Sequence, residues 1–305
     1  MNWRVKGLIQ KALSHIPCGT RLNDLLQRTV GELRDFDREV AGKVSDWSIV
    51  MSYLDSVGFE LQGARCLEIG TGWFPTLPIC FALSGAGLCS TYDLSRHLST
   101  SLTFQFLGLL ERHLPAIAKA AAQPVPKIEG CFQQLKAANT VDDLLRIARV
   151  DYQAPADATA TSLPSESVDL VYSNSVLEHV SPEGIQAMMR ESYRVLRPGG
   201  IAVHGVNCGD HYAYFDRRIT AINYLTYSER SWRFWNNKLL YQNRLRPQDL
   251  LELAIRAGFK VALEKRRARP ELLAALPGLQ IASEFRHYPP EQLCCTSIDF
   301  VARKP

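Results

Sequence analysis

Between residues 61 and 207 the apolar residues fall into short runs rich in β-branched types, and stretches with helical apolar spacing lie between them. The runs cover 65–69, 88–92, 149–152, 168–173 and 201–206. Alternation of this kind builds a parallel sheet with crossover helices on its faces. The stretch 183–196 predicts one such helix, with Arg194 and Arg197 as charges near its C-terminal end and Pro198-Gly199-Gly200 stopping it before the next strand. Leu250, Leu251, Leu253, Ala254 and Ala257 predict a later helix ended by Gly258. Strands expected at 259–263 and 297–301 then complete the sheet at an antiparallel end. The expected fold class is α/β, a doubly wound, seven-stranded, mostly parallel sheet.

Two regions extend this unit. At the N-terminus Val5, Leu8, Ile9, Ala12, Leu13 and Ile16 share one helical face, and after the Pro17-Cys18-Gly19 break Leu22, Leu25, Leu26, Val30 and Leu33 repeat the pattern. Residues 1–60 therefore predict a helical cap on a domain spanning 61–305. Within that domain, 95–148 is too long for a simple crossover; Leu102, Phe106, Leu109 and Leu110 predict a helix with a helical excursion. The second insertion, 209–243, concentrates aromatic residues and arginines and predicts a lid.

Composition narrows the function. The 305 residues are 46% hydrophobic, enough for a sizeable core, and a scattered net charge of +4 argues against a nucleic-acid partner. The eight cysteines contain no Cys-x-x-Cys pair, so neither a zinc site nor a disulfide framework is expected. Several, such as Cys66 and Cys80, lie in apolar runs like reduced thiols of a cytoplasmic protein. Residues 1–16 carry Arg4, Lys6 and Lys11 and no continuous apolar stretch, so no signal peptide is expected. Residues 69–92 hold no charge, yet glycines and prolines punctuate them, which predicts a buried strand, turn and helix and no integral membrane association.

The strongest chemical signal is Cys66-Leu67-Glu68-Ile69-Gly70-Thr71-Gly72-Trp73-Phe74-Pro75, an apolar strand entering a glycine turn before a helix start. Asp93 follows Gly72 by 21 residues, at the end of the second strand, where a carboxylate can accept both ribose hydroxyls of a bound nucleoside. That geometry suits a nicotinamide or an S-adenosylmethionine site. A dinucleotide turn would need glycine at Pro75 to approach a pyrophosphate. S-adenosylmethionine has no pyrophosphate and does not need it.

Over residues 61–207 the chain resembles class I (Rossmann-like) S-adenosylmethionine-dependent methyltransferases of the bacterial small-molecule type. Glu68-Ile69-Gly70-Thr71-Gly72 is similar to the family's first motif, and Asp93 to its acid after the second strand. Asp157-Ala158, the run 167–171, Asn174-Ser175 with Leu177-Glu178-His179-Val180, and Arg194 to Gly200 resemble the later motifs in order. The resemblance implies S-adenosyl-L-methionine as cofactor. It implies Glu68, Gly70, Thr71 and Gly72 at the methionyl end, Asp93 with the adjoining Leu94 at the ribose, Asp157 and Ala158 at the adenine, and Asn174 and Ser175 at the rim facing the methyl group. Phe74 departs from the motif, which often has a third glycine there. His179 reads as helix packing beside the sheet.

The segment after the fifth strand offers Tyr214, Arg217, Arg218, Trp232 and Arg244 as acceptor-binding residues, with His211 as the base for a hydroxyl acceptor. Arginines beside aromatic surface, with amphipathic helices available to wall a tunnel, predict an acidic, partly apolar small molecule. Carboxyl methylation of a fatty or hydroxy-fatty acid leads; O- or N-methylation of a sugar or secondary metabolite is the alternative. A non-catalytic scaffold of the same fold is the reading from another class.

Overall fold

The computed structural model describes residues 2–13, 35–237, 239 and 241–305. Its centre is a sheet of β1 (Arg65–Ile69), β2 (Leu88–Tyr92), β3 (Val150–Gln153), β4 (Val168–Asn174), β5 (Leu196–Asn207), β6 (Lys260–Ala268) and β7 (Cys295–Arg303). The order is β3-β2-β1-β4-β5-β7-β6, with β1 to β5 parallel and β7 antiparallel to both its neighbours. This is the Rossmann-like methyltransferase fold expected above. Strand order reverses between β1 and β4, so the carboxyl ends of these strands open a crevice where the flanking connections diverge.

Side-chain alternation distributes the strands between two cores. Cys66, Leu170, Tyr172, Ile201 and Val203 face one side; Leu67, Ile69, Val171 and Ala202 face the other. The first side is covered by α2 (Phe36–Ser56), α3 (Thr76–Leu83), α4 (Thr100–Leu110), α5 (Leu114–Ala120), α6 (Val125–Lys136) and α7 (Val141–Ile147). The second is covered by α8 (Pro182–Val195) and α10 (Pro247–Arg256). Ser181 caps α8 by accepting from the Gly184 N–H, and Pro182 occupies the first turn, where no N–H is required. The uncharged stretch 69–92 is a buried turn, α3 and β2, and among the described residues no helix is long and apolar enough to cross a membrane.

Three differences from the sequence reading have physical causes. Pro198-Gly199-Gly200 does not precede β5 but lies inside it: Leu196 already pairs with Val168, and the register shifts before Ile201 pairs with Leu170. The 21-residue α2 falls within the expected helical cap of residues 1–60, but its own pattern is absent from the expectations above; Val40, Val44, Trp47, Met51 and Leu54 give it a buried stripe shared with the sheet core. The N-terminal helix, α1 (Trp3–Leu13), is present, but its expected inner face is turned outward. Val5, Leu8 and Ile9 are exposed, while Trp3, Gly7 and Gln10 are buried. The second N-terminal pattern, Leu22 to Leu33, and Ile16 lie outside the described residues.

Trp3 anchors a third cluster. Its ring lies 5.2 Å from Tyr212 and 4.8 Å from Trp235 of α9 (Glu229–Trp235), and Tyr224, Leu225, Trp232, Leu272 and Phe285 complete it. Leu272 belongs to α11 (Pro270–Ala275), and α12 (Pro290–Leu293) adds Leu293. Much of the aromatic segment 209–243 therefore packs as a satellite core. The seven described cysteines are free thiols, six of them buried.

Candidate active site

The glycine turn after β1 is built for close approach. Gly70 and Gly72 have φ of 82° and 74°, conformations costly to residues with a Cβ, and a Cβ at Gly72 would meet nothing within 4 Å. The Gly72 N–H donates to Asp93 Oδ2 at 2.9 Å, tying the turn to the end of β2. Below the turn, Glu68 is buried and accepts from Thr91 Oγ1 at 2.8 Å, while Thr71 and Thr91 share a hydroxyl contact. Burial pushes the Glu68 carboxyl up to about 8, so it is largely protonated at neutral pH. Burial also raises Asp93, opposed by the Gly72 N–H and His97.

The neighbouring loops bring the other cofactor-side candidates to the same strand ends. Asp93 carbonyl accepts from Ala156 N at 2.8 Å, which places Asp157 and Ala158 beside the end of β2. Ala158 is buried; exposed Asp157 accepts from the Thr159 N–H at 2.8 Å, and Leu94 is 66% exposed. Trp73 lies 5.6 Å from His97 near the turn, whereas Phe74 points into the core against Phe36 and Phe106. Phe74 is thus a packing residue, and its departure from the family motif leaves the turn itself intact.

A cavity of ≈ 240 Å³ opens beyond Asn174 and Ser175. Asp46 and Tyr53 come to it from α2, Asn207 and Tyr214 from the end of β5 and the turn after it, and Arg267, Arg269 and Asp299 from β6, its end and β7. Asn174 Nδ2 donates to Asp46 Oδ2 at 3.0 Å. Tyr53 Oη donates to Asp299 Oδ2 at 2.8 Å, which Arg267 also reaches at 3.0 Å. Gly205 forms the floor: a Cβ there would sit 2.7 Å from Asn174 Oδ1 and 3.3 Å from Asp299 Oδ1. Ser175, with φ of 55°, holds a conformation unfavourable to a non-glycine residue. Burial raises the Asp46 carboxyl above its usual range, with the Asn174 hydrogen bond and Lys43 opposing.

The acceptor-side expectations separate. Tyr214 lines the cavity, but Trp232 is 2% exposed within the aromatic cluster and does not line it. Arg244 is also buried, donating to the carbonyl oxygens of Tyr224 at 2.9 Å and Tyr227 and pairing with Glu229 at 2.6 Å. Arg218 pairs with Asp216 at 2.8 Å, and Arg217 is exposed away from the cavity lining. The basic groups of the cavity are Arg267 and Arg269 instead. His211 is buried beside Tyr214, with its ring pushed down to about 3 by desolvation and then by His179 and Lys6. A neutral ring of such low basicity is a poor proton acceptor at neutral pH. Asp46, Tyr53, Asn207, Arg267, Arg269 and Asp299 were not among the sequence candidates. A carboxylate on the flank of an apolar stripe was a usable signal for Asp46; for Arg267 and Asp299 there was none, because adjacency of β6 and β7 alone brings them together.

Residues 113–204 match the methyltransferase domain family. The match spans β3, β4 and β5 as far as His204; the glycine turn and Asp93 precede it. No curated protein matches the chain. Similar solved structures include an S-adenosylmethionine-dependent methyltransferase from Mesorhizobium loti, 18% identical over 83% of this chain and 96% of that one, with a TM-score of 0.45. Another is a [4+2]-cyclase, SpnF, at 17% identity, 85% and 80% coverage and a TM-score of 0.44. A geranyl diphosphate C-methyltransferase from Streptomyces coelicolor is 10% identical over 85% and 79%, with a TM-score of 0.47.

Proposed function

We propose that this chain, a class I S-adenosylmethionine-dependent methyltransferase by its matched domain and its strand order, methylates a hydroxyl or amino group on a polar small molecule held beneath α2. The observation that carries the acceptor reading is the Asp46–Asn174 pair at the junction of the expected methyl-facing rim and the cavity. Asp46, Asp299, Arg267, Arg269, Asn174 and Tyr53 make the cavity wall strongly polar. An acyl chain would desolvate these groups without satisfying them, at a cost of roughly 1–3 kcal/mol for each unpaired group. The outward apolar face of α1 also leaves Val5, Leu8 and Ile9 in no position to wall a tunnel. A polar acceptor is therefore favoured over a fatty acid.

S-adenosylmethionine supplies an electrophilic methyl group on a sulfonium. The chain's contribution is placement. The turn leaves open space at Gly72, where the methionyl part would lie, and Asp93, fixed through one oxygen by the Gly72 N–H, would offer its carboxylate to the ribose hydroxyls. Asp157 and Ala158 would border the adenine. Asn174 orients Asp46, whose carboxylate accepts the proton that a hydroxyl or ammonium acceptor must give up; burial strengthens it as a base. The opposed Asp299 and Arg267 provide hydrogen-bonding partners of both kinds for a polyfunctional acceptor.

Asp46→Asn tests the reading. Labelled methyl transfer into a panel of sugars, phenols, amines and hydroxy-fatty acids should give alkali-stable product, and Asp46→Asn should lower kcat by about 100-fold or more. Calorimetric affinity for S-adenosylhomocysteine should stay within about twofold, as the cofactor side is untouched. Label appearing only in alkali-labile fatty esters, or an undiminished Asp46→Asn rate, would overturn it.

A further inference from the structure

At the ends of β4 and β5, outside the hydrogen-bonded residues used above, lies a second cluster of chemistry-bearing side chains. Glu178 and His179 occupy the helical turn Leu177–His179 after β4, and His211 begins the turn His211–Tyr214 after β5. One ligand atom from each lies within 4.8 Å of the other two. The His179 and His211 rings stand 5.1 Å apart, and Tyr214 lies 5.6 Å from His211.

Two of the three groups have polar atoms for which the fold itself supplies poor compensation. Glu178 is 1% exposed, yet among the described residues no side chain hydrogen-bonds either carboxylate oxygen; the N–H groups facing it are its own and that of Asn207. His211 is 9% exposed, and its buried Nε2 has no hydrogen-bond partner among the described residues. Buried polar atoms in this condition call for an explanation such as an ion. His179 is positioned differently: its Nδ1 lies 2.8 Å from the Tyr241 carbonyl oxygen, an acceptor only. Nδ1 must therefore donate, which leaves the lone pair on Nε2. A carbonyl that fixes the tautomer in this way is the usual outer partner of a metal-bound histidine.

We infer that Glu178, His179 and His211 form a binding site for one divalent transition-metal ion. Two imidazoles and one carboxylate are a donor set that suits Zn²⁺ and its first-row neighbours better than Mg²⁺ or Ca²⁺, which prefer oxygen ligands throughout. The cysteine spacing considered from sequence could not reveal it, because the ligands come from two turns that only the parallel pairing of β4 and β5 brings together. Tetrahedral bonds of about 2.1 Å require ligand separations of roughly 3.4 Å, so ligand atoms that lie within 4.8 Å of one another close by up to roughly 1.4 Å around the ion. Exposed His179 provides the entry path. The inference stands apart from the acceptor reading, since it uses neither Asp46 nor the cavity polar pair.

The test is metal binding by the full chain, without reference to activity. Protein stripped with a chelator is titrated with Zn²⁺ against a chromophoric competitor, and with Co²⁺ while visible absorption is followed. One equivalent of Zn²⁺ should bind, and Co²⁺ should develop the intense visible bands of a low-symmetry, nitrogen-containing site. His179→Ala, at an exposed position where folding is secure, should weaken Zn²⁺ binding about 10-fold or more, as should the near-isosteric Glu178→Gln. Absence of stoichiometric binding, or binding unchanged in His179→Ala, overturns the inference; the second result would send the ion to the cysteines or elsewhere.

Discussion

Substituting alanine at each glycine of the turn separates backbone strain from steric overlap. Gly72 has φ of 74° and open space around the position of a Cβ, so Gly72→Ala imposes a conformational cost alone, about 1–2 kcal/mol. Gly70, with φ of 82°, would carry its Cβ 2.5 Å from Val176 Cγ2 and 3.4 Å from Cγ1. Overlap with a packed side chain adds about 1–3 kcal/mol, so Gly70→Ala should be the more destabilising by that margin. Urea unfolding of both variants measures the difference. Val176→Ala removes the opposing methyls and should recover the excess in Gly70→Ala while having no such coupling to Gly72→Ala. Cofactor binding should order the two in reverse: Gly72→Ala, folded but with its open space filled, should lose at least about tenfold in calorimetric affinity for S-adenosylhomocysteine. Equal destabilisation of the two variants, or no coupling between residues 70 and 176, would refute the steric argument; full affinity in Gly72→Ala would move the methionyl site away from this turn.

Asp93→Ala should weaken S-adenosylhomocysteine by about 1.5–3 kcal/mol, the worth of hydrogen bonds to a charged group, with the far-ultraviolet spectrum unchanged. Between pH 6.5 and 8 the folded chain retains the Glu68 proton that the unfolded chain has released, so stability should fall with rising pH by about 1.4 kcal/mol per unit for this group. Glu178, also pushed up to about 8, adds to that slope, whereas His204 and His211, both pushed down to about 3, act in the opposite sense only below about 6.5. Denaturant midpoints across this window should therefore be flatter for Glu68→Gln by one proton's contribution, and an unchanged slope would contradict the burial argument. Arg246, fully buried, donates to the carbonyl oxygens of Cys208 at 3.0 Å and of Arg244 and Cys295 at 3.3 Å; Arg246→Leu strands these acceptors and should cost about 3 kcal/mol or more in unfolding free energy.

The parts of this protein written in local order were legible from the chain. β1 and β2 lie at 65–69 and 88–92 as read, because both are short runs of largely apolar and strand-tolerant residues bounded by glycines or an acid, and the glycine turn needs residues tolerant of positive φ. The spacing from Gly72 to Asp93 survives as a hydrogen bond because one strand–helix–strand unit returns the chain to its neighbour. Amphipathic pattern established that α1 exists but not which face is buried: three tryptophan and tyrosine rings around Trp3 outweigh the exposed Val5, Leu8 and Ile9. The arginines show the same division. Charge predicts solvent or substrate, yet Arg244 and Arg246 are consumed by backbone carbonyls, while Arg267 and Arg269 reach the cavity only because an antiparallel end closes the sheet beside β5. Asp46 meeting Asn174, and Glu178 and His179 meeting His211, are likewise contacts between residues remote in the chain, and hydrophobic periodicity carries no information about which polar side chains strand order will place together.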